Sequence, residues 1–187
     1  MLKSIQKSVI AAVRSEKELD RALASDCGLI FDLNPDLLTL NEKVNRVHKS
    51  EKKLFIHLDL ATGIGKDKSG IKFAKQAGVD GIISTRVNII KMAREAGLFT
   101  VQRFFVVDSQ SVDTTVEGLK ASKADMIEVM PGAVTKIISA LKKRVDVPII
   151  AGGLIDTENE VEDAIIAGAM AISTGKEALW SIGEVKK

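Results

Sequence analysis

The sequence predicts an α/β fold, a compact (βα)8 barrel of the TIM type whose strands are parallel, and three observations favour it. Short apolar runs alternate with helical patterns along the whole chain. Two of these runs, Val147–Leu154 and Met170–Gly175, end abruptly on small residues, as buried parallel strands do. The segment Ala77–Thr85 is similar to Ala167–Thr174, which indicates a repeated unit. We therefore expect a single domain that spans residues 1–187.

The first half of the chain contains four predicted strand–helix units. Ser15 and Glu18 have the spacing of a capping box that starts the first helix, and Thr39 and Glu42 repeat it before the second. Glycines after the third and fourth helices supply the left-handed residue that ends a helix and returns the chain to the sheet. The predicted strands of this half are Ser8–Val13, Gly28–Phe31, Leu54–Leu60 and Gly81–Thr85.

Four more units are predicted in the second half. Helices are expected over Ser109–Ser122 and Ala133–Arg144, Thr157 and Glu160 form a third capping box, and a short closing helix holds Trp180. Eight units in 187 residues are close to the lower limit for a barrel that usually has about 250. An open doubly wound sheet is the competing architecture, but the regular repeats favour closure. The predicted strands are Phe99–Val107, Met126–Met130, Val147–Ala151 and Ala171–Thr174.

The composition excludes several classes of protein. A hydrophobic content of 45% is enough for one sizeable core, and a formal net charge of +2 does not by itself indicate a nucleic-acid binder. Aromatic residues make up 4% and tyrosine is absent, which argues against a surface that stacks single-stranded bases. Cys27 is the only cysteine, so neither an internal disulfide nor a zinc-type cluster is expected. Without a signal sequence or a membrane-length apolar run, the protein is predicted to be cytoplasmic.

The ends of the seventh and eighth predicted strands form a candidate phosphate site. Gly152 and Gly153 follow one strand, and Ser173, Thr174 and Gly175 end the other. Backbone N–H groups at such turns attract anions, and the loops after strands seven and eight of a (βα)8 barrel often hold phosphate. A tight strand-to-helix turn without a ligand is the alternative interpretation of the two consecutive glycines.

Polar residues near the ends of other strands are further candidates. Asp59 and His57 are predicted to share one face of the third strand, over the barrel mouth, while Leu58 and Leu60 share the other. An acidic side chain at this position requires a polar partner. His57 is interpreted as a hydrogen-bonded core histidine rather than as a catalytic group.

Arg103 and Glu128 lie inside two neighbouring apolar strands. A guanidinium in the barrel needs a carboxylate or a bound anion beside it. Two interpretations stay open: a structural ion pair, or a pair that also accepts hydrogen bonds from the hydroxyl groups of a ligand.

The loop with Gly63, Gly65 and Lys66 is superficially similar to a nucleotide-binding phosphate loop. Leu60 stands where that motif needs a glycine, and Asp67 stands where it needs Ser or Thr. We therefore exclude a nucleotide site and interpret the loop as a mobile lid whose lysine follows an anion.

Five short motifs occur in order along the chain: His57–Gly63, Gly81–Arg86, Gln102–Asp108, Ile127–Gly132 and Ala151–Leu154. Together they resemble the bacterial glycerol uptake operon antiterminator family, and the similarity runs from about Val9 to Trp180. The resemblance implies a compact barrel, without catalytic residues, cofactor or metal, that binds glycerol 3-phosphate and acts on the leader of glycerol-operon mRNA to prevent termination.

The resemblance also implies roles for individual residues. Asp59, Arg103 and Glu128 would line the mouth near the glycerol end of the ligand. The residues that would hold the phosphate are Gly152, Gly153, Ser173, Thr174 and Gly175.

Candidate RNA-binding residues are few. Lys68 and Arg86 are expected on the same rim as the lid, where closure of the lid would reposition them. The clusters Lys49–Lys53 and Lys142–Arg144 fall in helix-to-strand loops on the opposite face, and we interpret them as solvated helix ends.

A small barrel enzyme that acts on a phosphorylated three-carbon or sugar substrate is the alternative function. An isomerase, aldolase or synthase of this kind needs a general base or a Schiff-base lysine at a strand end. No predicted strand ends in lysine, but Asp59 and Glu128 could act as acid and base across the mouth. The sequence leaves open the RNA target and whether the protein forms a homo-oligomer.

Overall fold

The computed structural model describes residues 9–182, and within them eight parallel strands close into a barrel in sequence order, as predicted. None of the described helices is long and apolar enough to cross a membrane. The strands are β1 (Val9–Val13), β2 (Leu29–Asp32), β3 (Lys53–His57), β4 (Gly81–Ser84), β5 (Phe99–Phe105), β6 (Met126–Met130), β7 (Ile149–Gly152) and β8 (Ala171–Thr174).

Each of the first seven strands is followed by an α-helix on the outside of the barrel. The capping boxes at Ser15 and Thr157 form as predicted, with the side chains of Glu18 and Glu160 bonded back to the cap. The helices are α1 (Glu16–Ala24), α2 (Leu40–Lys49), α3 (Lys68–Gln76), α4 (Val87–Glu95), α5 (Ser109–Ser122), α6 (Thr135–Lys142) and α7 (Glu158–Ile166).

Helix α2 starts after Thr39 as expected, but its predicted cap and the closing helix are wrong, and α6 is two residues shorter at each end than predicted. The side chain of Thr39 does not cap α2, because its backbone is already helical and the chain turns earlier, at Asp36, whose carbonyl accepts from the N–H groups of Thr39 and Leu40. The closing helix is only a 3-10 turn, Glu177–Leu179, followed by Trp180. Ser8, the predicted first residue of β1, lies outside the described residues.

The third strand is also shorter than predicted. It ends at His57, and Leu58–Leu60 forms a 3-10 turn, so the two-residue alternation of a strand does not extend to Asp59. Leu58 is buried while Leu60 is exposed, which separates the two leucines that were expected to share a face.

The barrel interior changes from apolar to polar along its axis. On β3, β5 and β6 the inward side chains Phe55, Val101 and Met126 belong to an apolar core inside the barrel. Two residues further on, towards the C-terminal end of each strand, the inward positions are occupied by His57, Arg103 and Glu128. The polar interior therefore lies directly under the C-terminal mouth, where the βα loops meet.

Candidate functional site

A cavity of about 330 Å³ opens at the C-terminal mouth of the barrel. It is bounded by the end of β1, by the charged residues of β5 and β6, and by the loops that follow β7 and β8. The pairing of Gly152 with Ser173 places these two loops side by side. The polar or small residues that line the cavity are Arg14, Arg103, Glu128, Gly153, Asp156, Ser173, Thr174, Gly175 and Lys176.

Arg103 and Glu128 form an ion pair at the floor of this cavity. The Nε atom of Arg103 donates to Oε2 of Glu128 over 2.6 Å, and the two residues are only 7% and 1% exposed. Among residues 9–182, Nε is the only atom of this guanidinium with a hydrogen-bond partner. Its terminal nitrogens are therefore available on the side that lines the cavity, where they can bind an anion or a hydroxyl group.

The loop after β7 turns through two consecutive residues with left-handed backbone. Gly153 has φ 77° and Leu154 has φ 57°. A Cβ atom on Gly153 would lie 2.8 Å from Cε of Met130, so a larger residue does not fit there without movement. The neighbouring loop braces the turn, since the N–H of Gly132 donates to the carbonyls of Gly152 and Gly153 at 2.6 and 3.1 Å.

The end of β8 is fixed by Thr174. Its hydroxyl donates to the carbonyl of Ile155 at 2.9 Å and accepts from the N–H of Lys176 at 3.0 Å. Its carbonyl accepts from the indole N–H of Trp180 at 2.8 Å. Because this hydroxyl already has partners within the protein, Thr174 holds the loop in place while Ser173 and Gly175 line the cavity beside it.

Two cations at the cavity rim were missed by the sequence analysis. Arg14 follows β1 directly, and its Nη1 atom would be 3.4 Å from a Cβ placed on Gly175. Lys176 follows Gly175 in the loop after β8, and both cations line the cavity. The sequence signal for Arg14 and Lys176 is weak: both lie just after the end of a strand. Which strand ends meet at the cavity is decided by closure of the barrel.

Asp59 does not lie with Glu128 at this cavity. Its carboxylate accepts hydrogen bonds from Ser84 Oγ at 2.7 Å and from the N–H and Oγ1 of Thr85 at 2.7 and 2.9 Å. Burial on its own would raise the pKa of Asp59, but these bonds outweigh burial and hold the pKa below its usual range. The acid and base pair considered across the mouth is therefore not assembled, because Asp59 ties the loop after β3 to the loop after β4.

His57 is a core histidine, 4% exposed, on the inner face of β3. Burial, and next the positive charge of Arg103, lower its pKa to about 4. Within the described part of the chain its Nδ1 atom has no hydrogen-bond partner, so the expectation of a hydrogen-bonded ring is not met at that atom.

The predicted lid is bonded to the rest of the protein. The N–H of Thr62 donates to the carbonyl of Pro35 at 2.8 Å, and the N–H of Leu37 donates to the carbonyl of Thr62 at 3.0 Å. Lys66 directs its Nζ atom to the carbonyl of Ala61, 2.5 Å away within the same loop, and does not line the cavity. Gly63 has φ 72°, whereas the φ of Gly65 is outside the left-handed region. Movement of this loop would have to break these bonds or take the loop after β2 with it.

Three of the six cations in the basic clusters on the opposite face are used within the fold. The Nζ atom of Lys52 donates to the carbonyls of Ser25 and Cys27, each at 2.6 Å, and Lys53 pairs with Asp80. Arg144 pairs with Asp113 at 2.7 Å. On the mouth side, Arg86 is 3.8 Å from Asp59 and Lys68 is exposed.

Comparison with known proteins points to one family. The family model described as glycerol-3-phosphate responsive antiterminator matches residues 9–180. The crystal structure of a glycerol uptake operon antiterminator regulatory protein from Listeria monocytogenes is 32% identical, with TM-score 0.87, covering 92% of this chain and 94% of that one. An antiterminator-related protein from Thermotoga maritima is 31% identical, with TM-score 0.83 and coverages of 93% and 98%. The uncharacterized protein YgcP from Escherichia coli K12 is 35% identical, with coverages of 96% and 94%.

Proposed function

This chain belongs to the glycerol-3-phosphate responsive antiterminator family, and on that premise we propose that it binds glycerol 3-phosphate at the barrel mouth and regulates transcription through leader mRNA of glycerol-utilisation genes. The observation that carries the proposal is that the Arg103–Glu128 pair and the turns after β7 and β8 open into one cavity. A volume of about 330 Å³ is at the small end of the range for ligand pockets, about 300 to 1,000 Å³, and suits a ligand of this size.

We assign the phosphate of the ligand to the turns after β7 and β8. Gly153 and Gly175 leave the backbone accessible there, and the rim cations Arg14 and Lys176 supply positive charge. Ser173 adds a hydroxyl group on the same side of the cavity. Charge-assisted hydrogen bonds of this kind are the strongest that a phosphate can make, so they account for most of the affinity. Gly152 contributes differently, because it lies against Glu128.

We assign the glycerol end to the Arg103–Glu128 pair. A carboxylate oxygen of Glu128 accepts from a ligand hydroxyl, and the terminal nitrogens of Arg103 donate to its oxygen. Because Arg103 holds Glu128 rigidly, this end of the site recognises where the hydroxyl groups lie. Asp59 is not part of this contact in the observed geometry, since it is bonded to Ser84 and Thr85.

The same arrangement favours regulation over catalysis. A proton transfer needs a free acid or base within hydrogen-bond reach of the ligand. Glu128 is bonded to Arg103, and His57 lies beside that pair without lining the cavity. The other acid of the lining, Asp156, and its only described lysine, Lys176, are both exposed at the rim, on the side assigned to the phosphate and away from the glycerol end.

Calorimetric titration with glycerol 3-phosphate, glycerol and inorganic phosphate tests the site. We expect glycerol 3-phosphate to bind and glycerol to bind far more weakly, because glycerol lacks the phosphate contacts. Equal affinity for glycerol and glycerol 3-phosphate would overturn the assignment of the phosphate to the two turns.

Two substitutions at the loop after β8 make this test local. A Cβ on Gly175 has no contact closer than 3.4 Å, so the backbone accepts a side chain there, and Gly175→Asp brings a carboxylate to the phosphate site. We expect it to abolish binding, while the matched Gly175→Ala retains most of the affinity.

In the loop after β7, Gly153→Asp should abolish binding too. The backbone of Gly153, with φ 77°, and its contact with Met130 strain that variant, so Gly153→Ala must be measured beside it.

A response to the ligand requires two states of the protein that bind it with different affinity. The bonds between Thr62, Pro35 and Leu37 imply that the loops after β2 and β3 move together if they move at all. Hydrogen exchange of the Leu37 and Thr62 amides, with and without glycerol 3-phosphate, measures this. A change at one amide without the other would contradict joint movement.

A further inference from the structure

The charged residues of the protein are unevenly distributed over the helices around the barrel. Helix α3 carries three lysines and no acidic residue, and α4 beside it adds Lys91 and Arg94 against Glu95. Helix α7, four units from α3 and so on the opposite side, carries four acidic residues and no basic one. A second group of cations, Lys136 and Lys142–Arg144, lies on α6 and just after it, mostly at the C-terminal end of that helix.

Four exposed cations on and between α3 and α4 are available to a partner. Lys68 and Lys72 lie on α3, Arg86 precedes α4 and Lys91 lies on it, and all four are exposed. Among residues 9–182, the side chains of Lys68, Lys72 and Lys91 have no hydrogen bond or ion pair, and the side chain of Arg86 has only the 3.8 Å contact with Asp59. We call these four residues the α3–α4 surface.

Two neighbouring cations have a structural role and are left out of this set. Lys75 donates to the carbonyl of Ala96 just after α4, and Arg94 donates to the carbonyl of Lys123 just after α5. Cations are commonly found at helix C-termini because the carbonyls and the helix dipole are negative there. The four residues of the α3–α4 surface have no such explanation.

The spacing of the surface fits a polymer with regularly placed phosphates. Lys68 and Lys72 are one helical turn apart, about 6 Å along the axis, on the same side of α3. Packed helices lie roughly 8–10 Å apart, so the lysines of α3 are separated by a distance of this order from α4, where Arg86 and Lys91 lie. Arg86 and Lys68 are at the mouth-side ends of their helices, so the surface begins next to the loops around the ligand site.

We propose that the α3–α4 surface binds the phosphate backbone of RNA. This inference rests on the proposed function and specifies which side of the barrel meets the RNA. The surface contains no aromatic residue, so it contacts phosphates rather than stacked bases. On the face opposite the mouth, Lys52, Lys53 and Arg144 already have partners, and Lys142 and Lys143 stand at the C-terminal end of α6, where the helix dipole favours cations.

A second copy of the chain fits this surface less well. The acidic α7 of one copy could meet the basic α3 of another, but the two helices lie on opposite sides, so the contact would repeat without closing. The other exposed positions of α3 and α4, which include Ser69, Gln76 and Asn88, are polar. They provide no apolar centre of the kind that stable protein interfaces contain.

Charge reversal with a matched control tests the proposal. The variant Lys68→Glu/Lys72→Glu/Lys91→Glu changes the net charge as much as the control Lys136→Glu/Lys142→Glu/Lys143→Glu, which alters three exposed lysines of α6 and its C-terminus. Binding of a labelled single-stranded RNA and a labelled hairpin RNA, both of mixed sequence, is measured by anisotropy over a range of salt concentrations. Each titration is made with and without saturating glycerol 3-phosphate.

We expect the α3–α4 variant to bind RNA about 100-fold more weakly at about 0.1 M salt, because three phosphate contacts at about 0.7 each lower the salt slope by about 2. The α6 control should retain most of the affinity and the slope. An equal loss in both variants, or a loss only in the α6 control, would overturn the proposal. So would the absence of binding by the unaltered protein to either RNA.

Two further measurements separate this inference from the proposed function. Calorimetry of both variants with glycerol 3-phosphate should show unchanged affinity, since none of the altered residues lines the cavity. If the unaltered protein does not bind glycerol 3-phosphate, the proposed function fails, whereas RNA binding that moves to α6 overturns only the surface. Sedimentation of the unaltered protein identifies the other partner: growing assemblies that the α3–α4 variant abolishes would assign this surface to a second copy.

Discussion

The carboxylate of Glu128 lies directly against Gly152, and a Cβ atom at Gly152 would come within 2.6 Å of Glu128 Oε1. The absence of a side chain on β7 therefore makes room for a buried acid on β6. That acid in turn holds Arg103 at the floor of the cavity. Gly152, which the sequence comparison placed at the phosphate, thus makes room for the Arg103–Glu128 pair.

The substitution Gly152→Ala should weaken ligand binding through this contact. Glu128 is 1% exposed and bonded to Arg103, so it has little room to move away from an added methyl group. We expect a loss of stability of about 1–3 kcal/mol, as for other overpacked sites, and at least a tenfold loss in affinity for glycerol 3-phosphate. Urea unfolding and calorimetry measure the two effects. Gly175→Ala is the control, and an effect of equal size there would show that the Glu128 contact is not the cause.

Removing Glu128 should destabilise the protein by leaving a buried cation. For Glu128→Ala we expect a cost of about 3–5 kcal/mol, since Arg103 stays buried without its partner. The double substitution Arg103→Met/Glu128→Leu should recover much of this stability, because an apolar pair needs no ionic partner. It should not recover ligand binding. Full binding by the double variant would show that the pair is structural only.

The substitution Gly132→Ala should disturb the turn after β7, because Gly132 lies in the loop after β6 that braces this turn. A Cβ at Gly132 would lie 2.7 Å from the backbone nitrogen of Gly152 and 2.8 Å from the carbonyl carbon of Ala151. Backbone atoms in a sheet cannot rotate away, so we expect about 1–3 kcal/mol of destabilisation together with weaker ligand binding. Gly118→Ala is a suitable control, because its nearest contact is a side-chain atom of Phe104 at 2.9 Å. Unchanged affinity in Gly132→Ala would contradict the bracing role.

His57 should make the protein less stable in mild acid. Its pKa is about 4 in the folded protein and about 6.5 in the unfolded chain, so between these values the unfolded state binds the proton and is favoured. Stability is unaffected by this group above about pH 6.5, falls as the pH decreases towards 4, and levels off below that. The full loss amounts to about 3 kcal/mol.

Unfolding of His57→Gln over the same pH range provides the comparison. Glutamine does not titrate, so the variant should show a smaller decrease in the free energy of unfolding between pH 6.5 and pH 4. Parallel curves for the variant and the unaltered protein would show that other groups cause the acid sensitivity.

The sequence by itself determined the order and type of the elements. Buried strands, two of the three proposed capping boxes and the glycine turns depend on residues close together in the chain, so local patterns revealed them. For the same reason β6, β8 and α5 begin and end at the predicted residues. Local patterns also indicated that Arg103 and Glu128 are neighbours, because the fifth and sixth strands are consecutive in a parallel barrel.

Only the tertiary structure decided which of the strand-end residues share a cavity. Closure of β1 against β8 brings Arg14 next to Gly175 from the other end of the chain, and no spacing in the sequence encodes that contact. The 3-10 turn after His57 directs Asp59 to Ser84 and Thr85 and away from Glu128. A strand pattern fixes the face of a residue only while the strand continues, so side chains beyond its end are placed by the neighbouring loops they contact.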